Sequence, residues 1–425
     1  MNLPNEIVAL NHSETSPVFT AGNEVLRGLE GIFDHHASVK HDGCGSRSNV
    51  VIGTAHAFKS SCTGVIVPEI EEGFWLSING SSVKIVGQND RGALYGAFEY
   101  LGMMAQGNFT AVDYVTNPDQ PIRWVNQWDN FDGTIERGYE GPSIFFANYS
   151  IVDDLGRANE YARLLASIRV NGIVVNNVNA NETLLKDENI IGLARIADVF
   201  RPWGIPIGIS LNFAAPKDLG GLETFDPLDQ KVIQFWQDRS DTIYKLIPDL
   251  AGYLVKGDSE GQEGPLTYNR TLADGANLFA NAIKKYGGIV MYRAFVYEKL
   301  NKTDWKSDRA KAAYDYFQPL DGKFEDNVVV QVKYGPIDFQ VREAISPLFG
   351  SLRHTNVAVE LQITQEYLGQ QCHLVYLPPL WRTVWDFDLR TDNESTLVSE
   401  VVSGRRFNRP LAGSAAVVNV GTNDT

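Results

Sequence analysis

Residues 252–293, GYLVKGDSEGQEGPLTYNRTLADGANLFANAIKKYGGIVMYR, carry the rhythm on which the fold turns. A short apolar run at 252–256 gives way to a polar turn, an amphipathic stretch at 273–283 follows, and a second apolar run occupies 287–293. Parallel strands cannot be joined by a tight turn and need a crossover, so strand, helix, strand in this order reads as a βαβ unit. The same rhythm extends in both directions. Apolar runs fall at 122–128, 172–178, 205–211, 328–333, 357–362 and 416–420, and amphipathic stretches at 158–168, 190–200, 232–247 and 309–317. Eight runs joined by crossovers predict an α/β fold whose sheet closes into a (β/α)8 TIM barrel. The chain ends at Thr425, soon after the eighth run, so the barrel is expected to lack its last helix.

Upstream of Pro121 the pattern differs. Strand-like runs at 50–53, 74–78 and 83–86 alternate with polar turns, and 92–104 places Leu94, Phe98, Leu101 and Met104 at helical spacing. One apolar helix face laid on a small sheet makes an α+β domain. The turn-rich TNPDQP at 116–121 marks its limit, giving an amino-terminal domain over 1–120 and a catalytic barrel over 121–425.

Bulk properties exclude several classes. The formal charge is −15, the hydrophobic share 44% and the charged share 21%, with basic residues scattered rather than clustered. That is a globular chain without a footprint for nucleic acid. No apolar run approaches the ~20 residues of a membrane span. The start, MNLPNEIVALNHS, has neither the charged nor the apolar region of a signal peptide. Cys44, Cys62 and Cys372 show no CxxC spacing, so neither a metal site nor a disulfide scaffold is expected, and one Cys44–Cys62 bridge is the most they allow. No cofactor is indicated. Asn11, Asn79, Asn108, Asn148, Asn181, Asn269, Asn301, Asn393 and Asn423 each open an Asn-x-Ser/Thr sequon, which favours a secreted, glycosylated protein whose export signal is absent from this chain.

In a barrel, chemistry sits at the carboxyl ends of the strands. Those ends bring Trp128, Asp129 and Asn130; Asn176, Asn177 and Asn179; Lys256, Asp258 and Glu260; Arg293; Lys333 and Asp338; Glu360 and Glu366. Glycosidic cleavage needs two carboxyl functions, and several candidates qualify; the same acids equally suit helix caps or counter-ions. Lys256, Arg293 and Lys333 end three successive strands of an acidic chain. Cations converging on one rim suit an anionic sugar, with charge balance as the alternative. Alternation places Trp124 and Trp128 on one side of their strand, Trp128 at the rim where it can face a sugar ring and Trp124 in the core.

The segments WVNQWDNFDGTIERGYEGPSIF, VVNNVNAN, LVKGDSEGQEGPLTY, VQVKYGPIDFQVRE and ELQITQEYLGQ resemble the signature segments of the microbial α-glucuronidases of glycoside hydrolase family 67. The resemblance runs from about Gly87 to Gly421. It implies an α+β amino-terminal domain of the hexosaminidase-like accessory type, a central barrel, and a carboxyl-terminal helical domain missing here. It implies inversion at the anomeric carbon, with Glu260 as general acid and Asp338 and Glu366 as the pair that positions and deprotonates water. Lys256, Arg293 and Lys333 would hold the uronate carboxylate, Trp128 would stack on the ring, and Val178 would contact the 4-O-methyl group. The substrates implied are small acidic oligosaccharides, the aldouronic acids, and a homodimer is expected only of the full-length form. Gly257 departs from the alanine usual in the family's KADSEG segment. Two other readings stand beside this one: a hexosaminidase-like enzyme built on the Asp258/Glu260 DxE pair, and a catalytically incompetent fragment.

Overall fold

The computed structural model describes residues 3–41, 43–44, 49–296, 303–304, 309–336, 339, 343–364, 366–370, 372 and 374–423. The chain forms two compact units. The first is Met1–Asp119 with Ala158–Asn171 and Asp198–Ile205; the second is Gln120–Arg157, Gly172–Ala197 and Pro206–Thr425.

The first unit is built on a six-stranded sheet: β1 (Glu6–Ala9), β2 (Ser38–Lys40), β3 (Val50–Thr54), β4 (Phe74–Asn79), β5 (Ser82–Gly87) and β6 (Val112–Thr116), in the order β2-β1-β3-β5-β4-β6. β2, β1, β3 and β5 run parallel, while β4 pairs antiparallel with both β5 and β6. The helix Asp90–Ala105 starts on Asn89, whose side chain accepts from Gly92 N. It buries more than the single face expected from its large residues, because Ala93, Gly96 and Ala97 are buried too. A Cβ on Gly96 would come within 2.5 Å of Ile85, so the glycine permits close packing of helix on sheet. Cys44 and Cys62 form a disulfide with their Cα atoms 5.2 Å apart, against a cluster containing Val8, Phe58, Trp75 and Val86.

The second unit contains a closed barrel of eight parallel strands. After β7 (Ile122–Gln127) the chain makes a short hairpin, β8 (Phe146–Ala147) with β9 (Ser150–Ile151). The other barrel strands are β10 (Gly172–Val174), β11 (Ile207–Leu211), β12 (Gly252–Val255), β13 (Ile289–Arg293), β14 (Val328–Lys333), β15 (Asn356–Gln362) and β16 (Gly413–Val418). β16 closes on β7, with Gly413 opposite Ile122 and Val418 opposite Gln127. Helices Gln230–Leu246, Leu272–Ile283 and Arg309–Phe317 cross between successive strands. A capping box between Thr271 and Asp274 fixes the start of the second of these.

Most strand limits shift by a residue or more from the sequence reading, and three of the shifts have a readable cause. The run at 172–178 yields a ladder only to Val174, because Asn176 takes over with its side chain, accepting from Ser210 N at 2.8 Å and donating to Ser210 O at 3.2 Å. β11 starts at Ile207, behind Pro206, which has no N–H to give a ladder. β16 lies at 413–418 and not 416–420; its first residues, Gly-Ser-Ala-Ala, carry no bulky apolar signal.

Strand alternation divides the barrel interior into two levels. One holds Ile122, Trp124, Val174, Leu254, Met291, Val329, Ala358 and Ala415, all buried in a single cluster. Gly172 belongs to this packing, since a Cβ there would sit 2.4 Å from the Trp124 indole. Two residues further along the same strands the inward positions become Asn126, Asn176, Lys256, Arg293, Gln331 and Glu360. Gln331 Nε2 donates to Asn126 Oδ1 at 2.8 Å although β14 and β7 are not neighbours, so this bond crosses the interior.

Candidate active site

The polar level lies toward the carboxyl ends of the parallel strands, and it begins with two cation–carboxylate pairs. Arg293, ending β13, donates from Nε to Glu360 Oε2 at 2.7 Å and from Nη2 to Glu360 Oε1 at 2.5 Å. The side chains are 3% and 0% exposed, and Gln331 also donates to Glu360. Burial raises the Glu360 carboxyl, but the Arg293 and Lys333 charges outweigh it and hold the group below its ordinary value.

The second pair is Lys256 with Glu260. Lys256 Nζ donates to Glu260 Oε2 and to Asn179 Oδ1, both at 2.5 Å. The lysine side chain is fully buried, whereas Glu260 is 40% exposed. Burial lowers the lysine against the opposing pull of Glu260. On Glu260 burial acts upward, and the charges of Lys256, Arg293 and Lys333 more than reverse it, leaving the carboxyl below its ordinary value. Glu260 and Asp258 both adopt left-handed backbone, φ 51° and φ 54°. Side chains other than glycine pay on the order of 1 kcal/mol for such a conformation, which persists where the surroundings impose it. Here the turn is imposed by paired Ser259 and Gln262 backbone bonds and by the Asp258 carboxylate, which accepts from Leu266 N at 3.1 Å.

Lys333, ending β14, sets its ammonium 3.6 Å from the Phe295 ring centroid and 4.6 Å from that of Phe339. Trp128 lies one residue beyond β7, buried, with its backbone N–H donating to Val418 O at 2.9 Å. Among the described residues nothing accepts from the buried Trp128 indole Nε1. Val178 is buried in the same cluster as Trp124 and Val174. Glu366 accepts from Arg137 Nε at 2.6 Å and from Gln362 Nε2 at 3.1 Å, its side chain 11% exposed. Asp338 lies outside the described residues.

Two participants lie within the segment 124–145 quoted above, but strand-end position does not single them out. Glu136 Oε2 accepts from Asn177 Nδ2 at 2.8 Å and from Asn179 Nδ2 at 3.1 Å, and Glu136 Oε1 lies 3.7 Å from Arg137 Nη1. Side chains therefore connect Glu366, Arg137, Glu136, Asn179, Lys256 and Glu260 in sequence. Both newcomers sit in the irregular segment after β7, where no hydrophobic period singles them out. Among the described residues no group of three or more His, Cys, Asp or Glu side chains is arranged to hold a metal ion, and no helix is long and apolar enough to cross a membrane.

A closed eight-strand parallel barrel with ionic side chains at the carboxyl ends of its strands is the architecture of the TIM-barrel glycosidases. Residues 103–425 match the glycosyl hydrolase family 67 middle domain and residues 1–100 the family 67 N-terminus; the chain belongs to glycosyl hydrolase family 67. It is 63% identical to the probable alpha-glucuronidase A of Aspergillus fumigatus over 426 aligned residues, covering 100% of this chain and 51% of that one. The chain thus spans about half the length of the curated relatives it matches. Two solved structures share the fold: a GH115 4-O-methyl-alpha-glucuronidase with specificity for decorated arabinogalactans and a GH20 exo beta-N-acetylglucosaminidase from Vibrio harveyi. The first has a TM-score of 0.56 at 13% identity, covering 99% of this chain and 54% of the other. The second has a TM-score of 0.56 at 10% identity, covering 100% and 68%.

Proposed function

We propose that this barrel is that of an inverting, exo-acting α-glucuronidase, releasing glucuronic or 4-O-methylglucuronic acid from α-1,2-substituted xylo-oligosaccharides during xylan breakdown. The observation that carries the reading is the set of cations at successive strand ends: Lys256, just past β12, donates to Glu260 at 2.5 Å, and Arg293 and Lys333 end β13 and β14. Three cations around one candidate acid suit a sugar that brings its own carboxylate, and neutral sugars offer them hydrogen-bond acceptors but no compensating charge. In this reading Glu260 protonates the leaving oxygen, and Glu366 with Asp338 positions and deprotonates water on the far side of the ring. Trp128 underlies the sugar, and Val178 contacts the 4-O-methyl group. The substrates are aldouronic acids.

The same reading places the protein outside the cell. The Cys44–Cys62 disulfide supports an oxidising compartment. None of the eight sequon asparagines among the described residues is buried.

Incubation with aldobiouronic acid tests the activity. The expected result is free uronate, falling by roughly 10² to 10⁴ in rate for Glu260→Gln. Release of N-acetylglucosamine from its glycoside without release of uronate, or a Glu260→Ala variant as active as the parent, would overturn it.

A further inference from the structure

Lys256 is a fully buried cation whose hydrogen-bonded counter-charge is half exposed. Its ammonium has two bonds within the protein, one to a neutral amide oxygen and one to Glu260. Asn179 is itself fixed from the other side, donating to Glu136. Glu260, by contrast, stands on a left-handed turn beyond the end of β12 and presents 40% of its side chain outward. The cation is built in, and the anion is attached at the open side.

We propose that Lys256 is handed over: in the free protein its ammonium pins Glu260, and an arriving sugar carboxylate takes that ammonium, releasing Glu260 to accept a proton from solvent. This deepens the uronate reading and rests on it. The exchange is chemically even, one carboxylate replacing another on a compact ammonium with three rotatable donors. Charge then sets the rest. The groups acting on Lys256 are Glu260, Arg293 and Glu136, and those acting on Glu260 are Lys256, Arg293 and Lys333. An added negative charge beside Glu260, with Lys256 no longer committed to it, is relieved by one proton on Glu260. No other group need change: one sugar carboxylate and one proton enter together, and the carboxylic acid so formed is the species that can protonate a leaving oxygen. A neutral sugar in the same place leaves Glu260 paired and ionised. Selection for uronates then appears in turnover as well as in affinity.

Titration calorimetry of D-glucuronic acid into the chain, at about pH 5 to 6 in buffers of different ionisation enthalpy, measures proton uptake on binding directly, since uptake follows the difference in protons bound by the two states. The hand-over predicts roughly 0.5 to 1 proton taken up per glucuronic acid, and little or none in Glu260→Gln, which still binds the sugar. Binding without proton uptake, or uptake unchanged in Glu260→Gln, would overturn the hand-over while leaving the uronate site standing. Absence of glucuronic acid binding by the folded chain would overturn both. The Glu260→Gln exchange is isosteric at a half-exposed position, and a melting curve on the same sample establishes that it is folded.

Discussion

Arg293 with Glu360 and Lys256 with Glu260 are two ion pairs on one barrel rim, and they are built differently. The first closes through two parallel hydrogen bonds between side chains that are both buried, with Gln331 bridging to Asn126 across the interior. The second closes through a single hydrogen bond from a buried lysine to an exposed-side carboxylate on a turn. A bidentate pair sealed from water holds its geometry, while a single bond at the water boundary can be exchanged at low cost. The pairing of a fixed element with an exchangeable one is what a site needs if its frame must persist while its reacting group changes partner.

The sharpest way to break this comparison is to remove the anion from the closed pair. Glu360→Ala strands Arg293 in the interior, and chemical denaturation should show a loss of about 3 to 5 kcal/mol in folding stability. Replacing both partners, Arg293→Leu with Glu360→Leu, removes the stranded charge as well as the pair. Its stability should lie within about 2 kcal/mol of the parent by the same measurement, while uronate binding is lost.

A third carboxyl extends the comparison. Asp129, just past β7, is buried with Ser143 Oγ, Gln127 Nε2 and the Ile144 backbone N–H as donors, and burial outweighs those bonds to push it up to about 7. The folded state therefore holds this proton more tightly than the unfolded chain. Stability from this group is fully present below the unfolded value near 4 and is lost as pH rises toward 7, at up to about 1.4 kcal/mol per pH unit. Asp129→Asn should flatten that slope in denaturation curves taken across the window. The smallest effect belongs to the open pair: Glu260→Gln keeps an oxygen for Lys256 and should shift folding stability by no more than about 1 kcal/mol. A loss as large as that of Glu360→Ala would erase the distinction between the two pairs.

The barrel was legible because its strands are runs of valine, isoleucine and leucine at regular crossover distance, such as VVVQVK at 328–333. It was least legible where side chains other than apolar ones do the work. Asn176 replaces ladder bonds beyond Val174, and Gly413 begins a strand with no bulk. The cation set was readable from strand-end position alone. Their pairing was not, because Arg293 meets Glu360 across the intervening β14, a relation set by strand order and by the register of three neighbouring strands. Glu136 and Arg137 sit in irregular chain and matter through partners at Asn179 and Glu366, far off in sequence, so no local period marks them.

Proton NMR of the first sugar released from an α-1,2-linked aldotriouronic acid tests the central claim most directly. A barrel that inverts, with water entering between opposed carboxyl groups, delivers the β-anomer of glucuronic acid first and shows the α-anomer only as mutarotation proceeds. The α-anomer appearing first, or no uronate released by a chain that melts cooperatively, would contradict the account.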